Sequence, residues 1–219
     1  LEKYGDRHDF VFISLDVMPG QRGRRPTEAE LKAGMKESYD NFIEMQNIIP
    51  RPVLPVYHSG EPTTLRDYYL QKTDHICLSM NQRMGEKYRV EWATRVQVPG
   101  VKMHGLAATG NQMIRYIDWY SVDSAAWIML AAMGQIYWPT PNGLITMHVS
   151  NQSSKRKQYN GHATSVPMSA EVEVEIERRG FKLEDLENDH RTRMAWNLEA
   201  WSHNEWKRTP VHLQGLFDD

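Results

Sequence analysis

Short apolar stretches alternate with longer amphipathic segments over the first two thirds of the chain. The stretch at 10–16 is apolar at almost every position, which is typical of a strand buried on both faces of a parallel sheet. Similar stretches follow at 53–57, 75–78, 101–106 and 119–123. This alternation predicts consecutive βα units and therefore a parallel α/β sheet.

The segments between these strands carry apolar residues at helical spacing. Thr27 and Glu30 form a capping-box pattern that predicts the start of the first helix. Five βα units are visible in this way, whereas a closed TIM barrel needs eight. Two interpretations fit the pattern: an open α/β sheet, or an eight-fold barrel represented only by its last five units.

The pattern changes after about residue 143. Residues 150–157 are polar and basic, and the segments 170–179 and 183–206 have helical spacing. We therefore predict a partial barrel domain over 1–145. A basic loop and a helical C-terminal extension that packs on the barrel are predicted over 146–219.

Charge and cysteine content restrict the possible partners and compartment. The 219 residues include 26 Lys and Arg against 28 Asp and Glu, so a nucleic acid would have to bind a local basic patch. The single cysteine, Cys77, excludes an internal disulfide and fits a reducing cytoplasm. No apolar run is long enough for a membrane span, and no signal-peptide pattern is present, so we expect a cytoplasmic protein without a membrane partner. The candidate phosphate-binding residues are Arg22, Arg24, Arg25, Lys155, Arg156 and Lys157.

Polar residues and glycines follow the ends of the predicted strands. In a parallel barrel the carboxyl ends of all strands meet at one mouth, so residues distant in sequence become neighbours there. Two aspartates and two histidines at successive strand ends predict an active site. The candidates are Asp16, His58, Gly60, His104, Gly105 and Asp123.

Four of these strand ends resemble, in the same order, motifs of the guanine transglycosylases. The segments are FISLD at 12–16, YHSG at 57–60, MHGL at 103–106 and VDSAA at 122–126. The family exchanges guanine in a nucleic acid for a 7-deazaguanine base, and the phage and bacterial branch that modifies DNA is the most similar. The resemblance implies a TIM barrel of which only the last five units are present.

The resemblance also implies roles for individual residues. Asp123 would be the catalytic nucleophile, because a carboxylate can form a covalent glycosyl intermediate at C1′. Asp16 would accept hydrogen bonds from the N1–H and the amine of guanine. The remaining base-binding candidates are His58, Gly60, His104 and Gly105. The implied partners are DNA or tRNA and a 7-deazaguanine base, with a possible homodimer and with no cofactor and no metal.

The chain departs from the family pattern in three respects. His58 stands where the family has a glutamine. No segment supplies the family's second aspartate, the general acid/base in a Ser-Gly-Gly-Phe context. The tRNA enzymes carry a zinc site of three cysteines and one histidine, which a chain with one cysteine cannot form. We therefore expect DNA, in preference to tRNA, as the substrate.

Two alternatives come from other functional classes. One is a metal-dependent barrel hydrolase with His58, His104 and Asp123 as ligands, although no strand end carries the His-x-His pair usual in such enzymes. The other is a non-catalytic or truncated homologue that binds nucleic acid without reacting.

Overall fold

The computed structural model describes residues 11–17, 24, 26–80, 85–150 and 170–204. The strands are β1 (Phe12–Ile13), β2 (Val53–Leu54), β3 (Val56–His58), β4 (His75–Ser79), β5 (Lys102–Leu106), β6 (Ser121–Val122), β7 (Gln135–Thr140) and β8 (Gly143–His148). The helices are α1 (Glu28–Ile48), α2 (Thr63–Leu70), α3 (Glu86–Val96), α4 (Asn111–Tyr116), α5 (Ala126–Ala132), α6 (Ala170–Arg178), α7 (Leu183–Asn188) and α8 (His190–Ser202). None of these helices combines the length and the apolar character that a bilayer-spanning helix requires.

The described residues divide into two compact units, one up to Asp123 and the other from Ser124 onward. In the first unit β1 pairs with β2, and β3, β4, β5 and β6 follow one another in a sheet, all in parallel. Pro55 separates β2 from β3 because it has no N–H to donate, while its carbonyl accepts a hydrogen bond from Cys77 N–H at 2.8 Å. Apart from β2 and β3, which are consecutive parts of one extended segment, each strand therefore lies beside the next strand along the chain.

The two faces of this sheet carry different apolar clusters, because side chains alternate along a strand. One face packs against the helices through buried residues of both kinds of element. They include Phe42, Tyr57, Tyr69, Ile76, Leu78, Val90, Met103 and Met113. The opposite face holds a second cluster that consists of strand residues alone. Its members are Ile13, Leu54, Val56, Cys77 and Leu106.

The second unit is built on an antiparallel hairpin of β7 and β8. Helices α5 and α8 both pack against β7, and they also pack against each other. Trp196 is fully buried, stacks on Trp138 with ring centroids 5.8 Å apart, and donates to the Tyr137 carbonyl at 2.6 Å. Asn197 is also fully buried, and its side chain bonds to the backbone of Tyr137 and Trp127. These polar contacts fix α8 against the hairpin and α5.

Most elements predicted from the sequence are present. All five predicted strands of the parallel sheet are confirmed, as is the capping box, in which Thr27 Oγ1 accepts from Glu30 N–H and Glu30 accepts from Thr27 N–H. The helical prediction for 183–206 is confirmed over most of its described part, which ends at residue 204, but the segment is not one continuous helix. It is divided into α7 and α8 because the Asp189 carboxylate accepts hydrogen bonds from Arg191 N–H and Thr192 N–H and caps a new helix.

The hairpin of β7 and β8 was not predicted from the sequence. Pro139 lies in β7, which pairs on one side only within the described residues. A proline is tolerated in such an edge strand because the missing N–H faces away from the ladder. The expected domain boundary after residue 145 falls inside β8, whereas the second unit begins at Ser124.

Candidate active site

Three predicted site residues lie at the carboxyl edge of the parallel sheet. Asp16 follows β1, His58 ends β3, and Asp123 follows β6. The strand register keeps these ends together, since His58 pairs with Ser79 at the end of β4, and Asp123 N–H donates to the Gly105 carbonyl at 3.2 Å. The chain therefore presents carboxylates from both borders of the sheet along the same edge.

His58 lies between two carboxylates. Its Nε2 is 2.9 Å from Asp16 Oδ2, and its Nδ1 is 3.4 Å from Glu61 Oε1. The other oxygen of Glu61 accepts the backbone N–H of His58 at 2.7 Å, which holds the turn after β3 in place. The His58 and Glu61 side chains are only 15% and 13% exposed, whereas that of Asp16 is 35% exposed. Asp16 is therefore the member of this group that a ligand reaches most easily.

The electrostatics of this group favour a charged imidazole. Burial lowers the pKa of His58, but the hydrogen bonds and negative charges of Glu61 and Asp16 together outweigh it, so the pKa is raised overall. A raised pKa means that the protonated form of His58 is favoured by folding. Protonated His58 donates from both ring nitrogens, which suits a position between two acceptors.

The pH dependence of stability follows from this shift. Stabilisation by charged His58 is complete below the unfolded pKa of about 6.5 and is lost as the pH rises through the higher folded pKa. We expect the difference in unfolding free energy between wild type and His58→Gln to decline over that interval, as measured by denaturant unfolding across pH. An NMR titration of His58 should give a pKa above about 6.5, and Glu61→Gln should lower it. A wild-type pKa below that value would contradict the arrangement.

The Asp123 carboxylate accepts a backbone hydrogen bond at one oxygen, and its side chain is largely exposed to solvent. Its Oδ1 accepts the Ala107 N–H at 2.8 Å, and its side chain is 57% exposed. Ala107 has a φ of 52°, in the left-handed region that a residue with a side chain rarely adopts. This strained backbone aims the Ala107 N–H at the carboxylate, as strained residues at functional sites commonly do.

His104 lies beside Asp123. Its Nδ1 is 2.8 Å from Ser121 Oγ, the residue opposite it in the β5–β6 register, and its Nε2 is 3.9 Å from Asp123 Oδ1. Burial lowers the pKa of His104, and the charge of Asp123 raises it by less, so the net change is downward. His104 is therefore favoured in its neutral form, in contrast to His58.

The negative charges of both Asp16 and Asp123 affect the pKa of Cys77. Its thiol is fully buried in the cluster of strand residues, and burial together with the charges of Asp123 and Asp16 raises its pKa to about 12. Both carboxylates thus act on one buried atom in the middle of the sheet. The thiol itself is inert, because a thiol with so high a pKa is not a nucleophile at neutral pH.

The two candidate glycines differ in their surroundings. Gly60 has a φ of +100°, and no atom lies within 4 Å of the place that a Cβ would take, so the backbone there is open to a ligand. At Gly105 a Cβ would lie 2.6 Å from the Ala108 Cβ and 3.1 Å from the Trp119 ring. Gly105 is required by close packing on the helix side of the sheet.

Of the six basic candidates, Arg24 is the one that lies among the described residues. Arg22, Arg25, Lys155, Arg156 and Lys157 lie outside the described residues. Arg24 forms a two-pronged ion pair with Glu30, at 2.8 and 2.5 Å, and the hydrogen bonds from Arg24 and Thr27 lower the pKa of Glu30 to about 2. Contact with a phosphate would therefore compete with an existing ion pair.

The three ligands of the hydrolase alternative belong to two different side-chain groups. His58 lies beside Asp16, whereas His104 lies beside Asp123. Among residues 11–17, 24, 26–80, 85–150 and 170–204, no three or more His, Cys, Asp or Glu side chains are arranged to hold a metal ion. A metal-dependent mechanism thus gains no support from this part of the chain.

Three residues of the site, Glu61, Ser121 and Ala107, were not predicted from the sequence. Glu61 lies three residues beyond the end of β3, where a carboxylate reads as an ordinary loop residue, although its position shortly after His58 was a usable signal. Ser121 could have been found from the β5–β6 register, whereas the backbone of Ala107 leaves no trace in the sequence.

Comparison of the chain with known proteins found no matching family model, no matching curated protein and no matching solved structure. The function proposed below therefore depends on the motif resemblance described above and on the arrangement of this chain's own residues.

Proposed function

We propose that this protein is a glycosyltransferase that exchanges guanine for a 7-deazaguanine base in a nucleic acid, with DNA as the preferred substrate. The observation that carries the proposal is the pair of carboxylates, Asp16 and Asp123, at the carboxyl edge of the parallel strands, where Asp16 lies 2.9 Å from His58 and Asp123 lies 3.9 Å from His104. Base exchange needs two such groups, one to hold the base and one to hold the sugar.

Asp123 supplies the nucleophile. One of its oxygens attacks C1′, the C1′–N9 bond breaks, and guanine leaves with the bonding electrons and is protonated by water. The Ala107 N–H holds Oδ1, so Oδ2 on the exposed side makes the bond to C1′. The incoming base then displaces the carboxylate, loses its N9 proton to water and restores free Asp123.

Asp16 and His58 bind the base. The Asp16 carboxylate accepts the N1–H and the exocyclic amine of guanine, both of which lie on the same edge of the ring. His58, whose pKa is raised by Glu61 and Asp16, donates its Nε2–H to O6 on that edge when the bound base takes the place of His58 at Asp16 Oδ2, 2.9 Å away in the free protein. Gly60 leaves open space beside this group for the flat ring.

The strand order supports a TIM-barrel type of fold with five βα units. Crossovers between parallel strands are right-handed, so a sheet in which every strand follows its predecessor carries all its helices on one face. A doubly wound sheet reverses its order and carries helices on both faces. Here the opposite face is lined by strand residues such as Leu54, Val56 and Cys77, as is the interior of a barrel.

The test is incorporation of labelled guanine into duplex DNA and into guanine-containing tRNA, measured side by side with the wild-type chain. We expect label in DNA, and release of unlabelled guanine when 7-deazaguanine is added. Label in tRNA alone would overturn the choice of substrate, and label in neither would overturn the proposed function.

A further inference from the structure

The strongest unexplained group in the molecule is the Nε2 atom of His104. It is buried, and among the described residues no hydrogen-bond partner reaches it. A buried polar atom without a partner is costly, and it is retained in proteins where a function requires it. The nearest charged group is Asp123 Oδ1, 3.9 Å away, which is slightly longer than a hydrogen bond.

We propose that Ser121 and His104 form a hydrogen-bond relay that positions Asp123 for nucleophilic attack, an inference that rests on the proposed function. Ser121 Oγ–H donates to His104 Nδ1, which fixes the ring proton on Nε2. The Nε2–H then points at Asp123 Oδ1 and closes on it when the exposed carboxylate binds the sugar. His104 is thus a positioning residue and does not itself touch the substrate.

The arrangement of the surrounding groups supports this assignment of the proton. His104 pairs with Cys77 of β4 on one side and with Ser121 of β6 on the other. A neutral ring is favoured in this setting, since burial lowers its pKa. With one proton available, donation from Ser121 leaves that proton on the nitrogen that faces the Asp123 carboxylate.

The relay would act on both halves of the exchange. Ala107 N–H and His104 Nε2–H together hold Oδ1, so the attacking lone pair belongs to Oδ2. In the covalent intermediate Oδ1 becomes an ester carbonyl with little charge. When the C1′–Oδ2 bond breaks, its electron pair returns to the carboxylate, and both hydrogen bonds strengthen as the charge develops. The relay therefore makes Asp123 a better leaving group for the incoming base.

The experiment compares His104→Leu, His104→Gln and Ser121→Ala with wild type in the guanine incorporation assay. His75→Gln is the matched control, because His75 also has a buried Nε2 without a described partner but lies at the opposite end of β4. We expect kcat to fall by about 10- to 100-fold in His104→Leu, with little change in KM. His104→Gln should recover part of that loss because its amide also donates, and Ser121→Ala should show a smaller loss.

Two further readouts separate positioning from simple destabilisation. The wild-type rate should fall at acid pH, where the positive charge of protonated His104 draws electron density towards Oδ1 and makes the Asp123 carboxylate a weaker nucleophile, and this acidic limb should be absent from His104→Gln. Nitrogen NMR of the free wild type should find the His104 proton on Nε2. A proton on Nδ1, or a His104→Leu variant with wild-type kcat, would overturn the relay and leave base exchange standing. A wild-type chain that neither incorporates nor releases guanine would overturn both.

Discussion

Replacing Asp123 with asparagine is expected to lower base exchange by about 10⁴-fold or more, the effect typical of removing a covalent nucleophile. The amide has nearly the same shape and can still accept the Ala107 N–H through its carbonyl oxygen. It lacks the negative charge needed to attack C1′, so no covalent intermediate forms. The measurement is incorporation of labelled guanine into DNA, together with mass spectrometry of denatured protein for a covalent nucleic-acid adduct in wild type.

Asp74→Asn is the matched control for Asp123→Asn. Asp74 is an exposed aspartate at the other end of the sheet, where it lies 3.4 Å from Lys102. We expect Asp74→Asn to retain wild-type exchange and Asp123→Asn to retain the wild-type unfolding midpoint, since its carboxylate is largely exposed. Equal label uptake by wild type and Asp123→Asn would disprove the role of Asp123 as the nucleophile.

The sequence was sufficient to predict the parallel sheet because its strands are short, apolar and separated by amphipathic helices. Buried strands such as β4 leave a clear pattern, with Ile76, Cys77 and Leu78 all buried. The placement of Asp16, His58 and Asp123 at one edge followed from parallel pairing alone. The hydrophobic pattern shows which segments are strands, and parallel pairing then determines which strand ends lie at the same edge.

Side-chain partners were beyond the reach of the sequence because they depend on backbone turns and strand register. The turn at Gly60 brings Glu61 back to His58, and the register of β5 with β6 brings Ser121 to His104. Gly105 illustrates the same limit. Its sequence context fits a glycine that admits a ligand, but its Cβ direction is filled by Ala108 and Trp119.

The pKa values of His58 and His104 are shifted in opposite directions. Two carboxylates raise the pKa of His58 despite its burial, whereas burial lowers the pKa of His104. Groups whose surroundings push their pKa values apart commonly take different roles in one reaction. In the proposed mechanism His58 acts with Asp16 on the base, and His104 acts with Asp123 on the sugar.

Replacing Asp16 with asparagine is expected to lower kcat/KM for guanine by about 10³-fold, because two hydrogen bonds to a charged acceptor are lost and the new amide N–H opposes a donor of the base. Selectivity should fall as well. Hypoxanthine lacks the exocyclic amine, so wild type should discriminate against it and Asp16→Asn should do so much less. The measurement is competition between labelled guanine and labelled hypoxanthine for incorporation into DNA.

Asp40→Asn is the control for Asp16→Asn, since Asp40 forms a surface ion pair with Lys36 on α1, and such pairs contribute little to stability. A second readout does not depend on activity. Because the negative charge and hydrogen bond of Asp16 both raise the pKa of His58, Asp16→Asn should lower that pKa in an NMR titration, whereas Asp40→Asn should leave it unchanged. If the His58 pKa falls as expected while guanine use and selectivity stay at wild-type values, Asp16 is a structural partner of His58 and the base is bound elsewhere.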